Sequence, residues 1–332
     1  MSKLALQLTC YNGSRYLPFL FTSIQSQTYK DWTFFVLDNG SNLDEALNIK
    51  EAVQRAEIPI ELKRVEETLD FVRGHNELFK QHTCPYIQLL NDDAMLEPDY
   101  LEKLIFYIEN NLQVGAVSGR IYWWNFEQAT TSTQGKTDRI DTCGFKKYVY
   151  GKVADRFTGL SKNALPILRL EEEVFGVSGC LPLYRRQAVI ETSPDQTLFD
   201  PDFDSYKEDV ELAYRFKKNG WKSMVLHEAI AYHNRSFFRH SHRQQKISTQ
   251  LRSYRNHLWI LFMHLSFIDW IKYGWAIIPF ELVKIVYWFV YQPKIIFETF
   301  KQTNKNWKNL MHKRIFYASL RYRHNNGLTQ RS

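Results

Sequence analysis

Three polar residues, Asn91-Asp92-Asp93, follow a run of largely apolar residues from Tyr86 to Leu90. The run has the pattern of a buried strand, and in open α/β sheets ligands collect at the carboxyl ends of strands. Because side chains alternate along an extended segment, Asn91 and Asp93 point to one face and Asp92 to the other. Carboxylate oxygens at a rigid strand end suit Mg²⁺ or Mn²⁺ holding a diphosphate. Taken alone, the tripeptide is more typical of a solvated acidic turn that caps a helix beginning near Pro98.

A second group of titratable residues consists of Glu208, Asp209 and His233. Glu208 and Asp209 lie in the first turn of a predicted helix, where acidic residues are also common for dipole reasons alone. A carboxylate held at a helix N-terminus stays ionised at neutral pH and can act as a general base. His233 is expected in a turn after a strand at Trp221 to Leu226. It could be structural, or it could form a mixed oxygen and nitrogen site for Mn²⁺ with Asp93.

Residues near the N-terminus could bind a nucleotide. Asp38 precedes an Asn-Gly turn, and its carboxylate could accept hydrogen bonds from a ribose or base, although an Asx turn explains it equally well. Tyr11 could stack on a nucleobase, although an exposed tyrosine in a turn needs no such role. Arg73, beside Gly74, could contact a phosphate.

These residues need a scaffold that brings strand ends together. Buried strands alternate with amphipathic helices, which predicts a parallel sheet with right-handed crossovers. The first predicted strands are Leu4 to Thr9, Thr33 to Leu37 and Ile60 to Val65. The strand ends near Thr9, Asp38 and Asp93 would then lie along one rim. A threonine-rich segment from Asn125 to Asp141 is predicted to be a long loop that moves or binds.

Composition limits the class of protein. The chain has 332 residues, of which 44% are hydrophobic, enough for one large α/β domain with an appendage. Its four cysteines show no CxxC spacing, which argues against a zinc site or a disulfide framework and suits a reducing compartment. The apolar run at the N-terminus is too short for a signal peptide, so a cytosolic protein is expected.

Charge is distributed unevenly along the chain. From His233 onward there are 17 Lys and Arg against 3 Asp and Glu, whereas the preceding residues have 26 against 33. The basic tail alternates with long apolar runs rich in Trp, Tyr and Phe. This pattern favours the surface of an anionic membrane over nucleic acid.

The longest apolar run of the tail, Trp270 to Tyr291, could cross a bilayer by length but contains several charged residues. Glu281, Lys284 and Trp288 fall on one helix face, which favours an amphipathic helix lying in the membrane plane. A helical cap packed on the sheet, or a homodimer contact, is the alternative. The basic residues expected to face lipid headgroups are Lys301, Lys305, Lys308, Lys313, Arg314, Arg321 and Arg323.

From residue 4 to about residue 236 the motifs resemble those of family 2 glycosyltransferases, most closely the bacterial rhamnosyltransferase-like group. The motifs are TCYNGSRYL, FFVLDNGS, LLNDDAMLEPDYL, GVSGCLPLYRR, and FDPDFDSYKEDVELAYRFKKNGW followed by AYHNRS. The resemblance implies an α/β fold of GT-A type in residues 1–236, with a mostly parallel central sheet flanked by helices. Residues 237–332 would form a basic, aromatic-rich helical extension associated with the membrane.

The resemblance also assigns roles. Asn91-Asp92-Asp93 stands where the family has its DXD motif, so Asp93 would bind the metal and Asp92 the metal or the ribose. Asn91 departs from the pattern, in which an acid is frequent, and is not expected as a direct ligand. His233 would complete the metal site, and Asp209 would be the catalytic base. The implied nucleoside contacts are Thr9, Tyr11 and Asp38.

The implied activity is metal-dependent inverting transfer of a sugar, with rhamnose as the candidate, from a nucleoside-diphosphate donor. The acceptor would be lipid-linked or a growing glycan at the cytoplasmic face of the inner membrane. The QxxRW motif of processive members is missing after His233, which implies one sugar per encounter.

Two other functions are open to the sequence. A nucleotidyltransferase would favour a Gly-rich, Lys-bearing phosphate loop, which TCYNGSRY lacks. A non-catalytic nucleotide-sugar-binding module could dock on membrane or nucleic acid through its basic tail. Such a binder would not need both Asp93 and Asp209.

Overall fold

The computed structural model describes residues 2–129, 134–165, 169–234 and 246–325, with side chains to residue 320. Its strands are β1 (Leu4–Cys10), β2 (Trp32–Asn39), β3 (Ile60–Val65), β4 (Tyr86–Leu90), β5 (Ala94–Leu96), β6 (Val114–Trp124), β7 (Lys136–Thr142), β8 (Phe145–Lys147), β9 (Val153–Asp155), β10 (Glu171–Val174), β11 (Leu183–Arg185) and β12 (Lys222–His233). Its helices are α1 (Leu17–Gln25), α2 (Leu43–Arg55), α3 (Phe71–Phe79), α4 (Tyr100–Asn110), α5 (Arg186–Thr192), α6 (Glu208–Lys218), α7 (Ile247–His264), α8 (Phe267–Tyr291) and α9 (Pro293–Asn325).

A mixed sheet forms the centre of the fold, with strand order β10-β12-β6-β11-β4-β1-β2-β3. The half from β4 to β3 is parallel, as the alternation of strands and helices predicts. Strand β11 lies antiparallel between β4 and β6 and joins this half to the parallel pair β6 and β12. Sequence analysis missed β11 because three residues are too few to show a period of two.

Two segments near the site differ from the sequence predictions. His233 is not in a turn but is the last residue of β12, which continues past an irregularity in register between Leu226 and Ile230. Pairing with β5 on one side and β6 on the other supplies the hydrogen bonds that extend the strand. The predicted loop from Asn125 to Asp141 also contains a strand, β7, which pairs with β6 and carries Asp141.

The hydrophobic core lies on both faces of the sheet. Leu4, Leu6 and Leu8 of β1 point to the face covered by α1 and α4. The opposite face is covered by α6, and this part of the core also includes Trp259 of α7 and Tyr317 of α9. A domain boundary at residue 236 stays a prediction, but α7 and α9 share their core with the sheet.

The C-terminal helices expose less charge than the sequence suggests. Lys313, predicted to face headgroups, is instead buried and ion-paired with Asp200 and Asp202, because α9 packs against the loop that carries these acids. Arg314 donates to the carbonyl of Phe262. The side chains of Arg321 and Arg323 lie outside the described residues.

Candidate functional site

A cavity of about 400 Å³ opens where β4, β12 and α6 meet. It brings together Asp93, His233 and Asp209, three residues that the sequence singled out from distant positions. The lining residues are Phe71, Asn91, Asp93, Ser178, Gly179, Cys180, Tyr206, Glu208, Asp209 and His233. Its walls therefore combine a candidate metal site with a candidate general base.

Asp93 and His233 meet because β4 and β12 end close together. His233 Nε2 lies 3.2 Å from Asp93 Oδ1 and also 3.2 Å from Asn91 Nδ2. Asn91 and Asp93 thus share a face, as the alternation of side chains predicts. On the other side of the ring, His233 Nδ1 lies 2.8 Å from Oδ2 of the buried Asp141.

The geometry of Asp93 and His233 fits a divalent cation. Neighbouring ligand atoms of an octahedral ion with bonds of about 2.1 Å lie roughly 3 Å apart, close to the spacing of Asp93 Oδ1 and His233 Nε2. Burial lowers the pKa of His233, but Cys180, Asp93 and Asp141 together raise it well above its usual value, so the site favours positive charge. Asp141, Cys180 and His233 also form a group with metal-ligating atoms within 4.8 Å of one another. The hard oxygen of Asp93 suits Mn²⁺ or Mg²⁺, whereas the Cys180 thiol is a softer ligand.

Two backbone hydrogen bonds hold the carboxylate of Asp209 at the start of α6. Its Oδ2 accepts the backbone N–H of Gly179 at 2.8 Å, and its Oδ1 accepts the N–H of Val210 at 2.7 Å. Burial raises the pKa of Asp209, and these two hydrogen bonds oppose the rise. Glu208 has a buried Oε2 without a hydrogen-bond partner among the described residues. We therefore assign the negative charge of this pair to Asp209 and the proton to Glu208.

Asp92 faces away from the cavity, toward the loop after β1. Its Oδ2 lies 3.6 Å from Cys10 Sγ, and a Cβ on Gly13 would come within 1.9 Å of that oxygen. Burial, and then the charge of Asp93, raise the pKa of Asp92 to about 7. Gly13 is thus the residue that leaves room for the Asp92 carboxylate.

The other predicted nucleotide contacts lie outside this cavity. Asp38 is buried at the end of β2, where it forms an ion pair with Arg64 and accepts the N–H of Ser41. Tyr11 is 53% exposed and directly follows Cys10, the residue of β1 that pairs with Asp38. Thr9 Oγ1 lies 3.5 Å from His75 Nε2. These positions form the edge of the sheet near β1 and β2, as expected for the carboxyl ends of neighbouring parallel strands.

Arg73 is not aimed into the cavity. Its side chain is 59% exposed and pairs with Asp70 at 3.1 Å and with Asp204 at 3.7 Å. No contact in the described structure distinguishes it as a phosphate ligand.

Sequence reasoning missed Asp141 and Arg64. Asp141 closes the threonine-rich segment that was singled out only as a loop, and its partner His233 is 92 residues away. Arg64 lies in β3 and reaches Asp38 of the neighbouring strand. Adjacent parallel strands predict this second proximity, but not the choice of Asp38 as partner.

The sequence matches the model of "Glycosyl transferase family 2" over residues 7–192, more than half of the chain. It is 30% identical over 145 residues to an uncharacterized glycosyltransferase of Methanocaldococcus jannaschii, covering 43% of this chain and 49% of that protein. It is 25% identical over 148 residues to a probable glucomannan 4-beta-mannosyltransferase of Arabidopsis thaliana, covering 44% of this chain and 28% of that protein. The chain therefore spans about half, or less, of the length of these curated relatives.

Two solved structures share the architecture. GalNAc-T7 with UDP, GalNAc and Mn²⁺ superposes with a TM-score of 0.60 at 13% identity, over 79% of this chain and 48% of that one. The mannosyltransferase PcManGT of Pyrobaculum calidifontis, in complex with GDP-Man and Mn²⁺, superposes with a TM-score of 0.53 at 12% identity, over 97% of this chain and 87% of that one. At such identities the likeness establishes the fold, and the expected GT-A type is confirmed. By sequence and fold together, the chain belongs to glycosyl transferase family 2.

Proposed function

We propose that the chain is an inverting glycosyltransferase that uses Asp209 as its base and a divalent cation, Mn²⁺ or Mg²⁺, at Asp93 and His233. The observation that carries this proposal is the placement of Asp93, His233 and Asp209 on the walls of one cavity. A nucleoside diphosphate sugar would enter from the rim formed by Tyr11, Asp38 and Asp92. Rhamnose is the candidate sugar, and a lipid-linked or growing glycan is the candidate acceptor.

The reaction needs one proton transfer and one displacement. Asp209 takes the proton from an acceptor hydroxyl while that oxygen attacks the anomeric carbon of the donor. The bond between this carbon and the diphosphate oxygen breaks on the opposite face, so the configuration inverts and no covalent enzyme intermediate forms. A bound divalent cation would neutralise the charge that develops on the departing diphosphate. Glu208, when protonated, leaves Asp209 as the single negative charge of the pair.

We also propose that the enzyme works on the cytoplasmic surface of a membrane. Among the described residues, α8 is the one helix that is long and apolar enough to cross a bilayer. Only 22% of its most apolar 18-residue stretch is buried. Glu281 and Lys284 of this helix face inward, where Glu281 Oε1 lies 2.7 Å from His257 Nε2 and 3.0 Å from Lys284 Nζ, whereas Lys272 is exposed. The outward face exposes Phe267, Ile268, Ile271, Trp275, Ile278, Leu282, Val283, Val286, Phe289 and Val290.

Helix α9 supports the same surface. It exposes an apolar stripe of Phe297, Phe300, Trp307, Met311 and Ile315. Lys301, Lys305 and Lys308 are exposed beside the stripe. Apolar residues flanked by lysines suit an anionic bilayer. The competing proposal is a homodimer formed through these helices, which would bury the same surface.

The experiment for the proposed reaction is release of nucleoside diphosphate from a panel of nucleotide sugars, with Mn²⁺ or Mg²⁺ and with lipid and glycan extracts as acceptors. Turnover of one donor would identify the sugar and leave the acceptor to be found. If nucleotide binds but no donor is turned over, the chain is a non-catalytic binding module that docks through its basic tail.

A further inference from the structure

The loop that leads into α6 has an unusual backbone. Asp204, Tyr206 and Lys207 have positive φ angles of 56°, 72° and 69°, a region that residues with side chains rarely adopt. Such conformations persist only where the surroundings hold them. Because Lys207 directly precedes Glu208 and Asp209, the path of this loop sets where α6 begins and where the carboxylate of Asp209 lies.

Asn256 of α7 holds the loop from the C-terminal side. Its side chain is fully buried, and Nδ2 lies 2.9 Å from the carbonyl oxygen of Phe203, 3.2 Å from that of Ser205 and 2.7 Å from that of Tyr206. Its Oδ1 accepts a hydrogen bond from Nε of Arg255, which fixes the orientation of the amide. One side chain therefore satisfies carbonyl groups along the strained segment.

Neighbouring contacts hold the same loop. Arg255 Nη2 lies 3.2 Å from Asp204 Oδ2, and Lys313 Nζ of α9 lies 2.6 Å from Asp202 Oδ2. From the catalytic side, the N–H of Val72 in α3 donates to the carbonyl of Asp204 at 3.0 Å. The loop is thus held by hydrogen bonds and ion pairs from α3 on one side and from the C-terminal helices α7 and α9 on the other.

We propose that Asn256 is a positioning residue for Asp209, acting through the backbone of residues 203–207. The C-terminal helices then belong to the catalytic machinery, in addition to any role at a membrane. This inference rests on the proposed function, because it takes Asp209 as the base. It adds a residue 47 positions beyond the base, in a helix outside the matched family region.

The test is a double-mutant cycle of Asn256→Ala and Asp209→Asn in the full chain, with Asn304→Ala on the exposed side of α9 as control. We expect Asn256→Ala to lower kcat at least tenfold and Asn304→Ala to leave it unchanged. In the Asp209→Asn background, Asn256→Ala should cause no further loss of the residual turnover. The Kd of UDP, GDP or dTDP with Mn²⁺ should change less than twofold, because the proposed nucleotide contacts lie at the ends of β1, β2 and β4 and not in this loop.

Several outcomes would overturn the inference. Unchanged kcat in a folded Asn256→Ala protein contradicts it, as does an equal loss in both backgrounds, which would indicate a general structural role. If Asn256→Ala does not fold, the same cycle with Arg255→Gln decides, since this change keeps the Asn256 side chain but removes both the contact with Asp204 and the hydrogen bond that orients the Asn256 amide. Wild-type turnover in Asp209→Asn would instead refute Asp209 as the base. If Asp209→Asn loses turnover but Asn256→Ala does not, only the positioning role of Asn256 is refuted.

Discussion

His233 is oriented by Asp141: the Nδ1 atom of the ring lies 2.8 Å from the Asp141 carboxylate, and Nε2 therefore points to Asp93. Asp141 itself is buried. A histidine that donates one ring N–H to a carboxylate presents the other nitrogen as a metal ligand in a fixed direction. The pairing makes Asp141 a partner of the candidate metal site although it does not line the cavity.

Replacing Asp141 should therefore weaken metal binding without removing a proposed ligand. We expect Asp141→Ala to raise the Kd for Mn²⁺ by about tenfold or more, the usual effect of losing such a partner. Electron paramagnetic resonance of free Mn²⁺ measures this Kd directly. Asp138→Ala, an exposed residue on the same strand, is the matched control. Equal affinity of the Asp141→Ala and Asp138→Ala proteins would remove Asp141 from the site.

Gly13 should be required for the position of Asp92. Its φ of −115° is open to other residues, so a substitution acts through contact and not through backbone strain. In Gly13→Ala the new Cβ would overlap Asp92 Oδ2, and we expect the donor KM to rise while Tm changes little. Steady-state kinetics with the donor identified by the panel measures the effect. A donor KM equal to that of the wild type would show that Asp92 does not contact the donor.

Glu208 should make the protein less stable at alkaline pH. Burial, and then the charge of Asp209, raise the pKa of Glu208 from 4.5 to about 8. Between these values the folded chain binds a proton that the unfolded chain has lost, so stability falls as pH rises. Glu208→Gln removes this dependence, and its Tm should exceed that of the wild type at pH 9 but not at pH 4.5. Thermal unfolding at both pH values checks the prediction, and an offset that is the same at each would contradict it.

The sequence predicted where β4 ends, because a run of apolar residues stops at Asn91. It also predicted where α6 begins, because helical spacing starts at Glu208. It also placed Asn91 and Asp93 on one face, since strand geometry fixes the alternation. It could not predict the pairing of Asp141 with His233, because no local pattern in the sequence indicates that β7 and the end of β12 lie close together. The prediction for Lys313 was wrong for a similar reason: a lysine in a basic tail gives no sign that it will pair with Asp200 and Asp202, more than 100 positions earlier in the chain.

Charged residues on the outer face of α8 should prevent membrane binding. Ile278 and Leu282 are 53% and 56% exposed, so Ile278→Glu with Leu282→Glu should leave the fold intact and place charge at the apolar surface. We expect this variant to lose flotation with phosphatidylglycerol vesicles, while Phe106→Glu with Leu112→Glu on another exposed surface keeps it. If the wild type does not float and elutes as a dimer that the α8 variant breaks, the helices form a subunit contact instead.

The most direct test of the central claim is to measure nucleotide binding and donor turnover in the same Asp209→Asn and Asp93→Ala proteins, with Asp195→Asn as an exposed control. The account predicts that Asp209→Asn binds nucleoside diphosphate with Mn²⁺ like the wild type but turns over the donor about 10²-fold more slowly or worse, since it loses only its base. Asp93→Ala should lose Mn²⁺-dependent binding and turnover together, and Asp195→Asn neither. Full turnover in Asp209→Asn, or unaltered Mn²⁺-dependent binding in Asp93→Ala, would contradict the account.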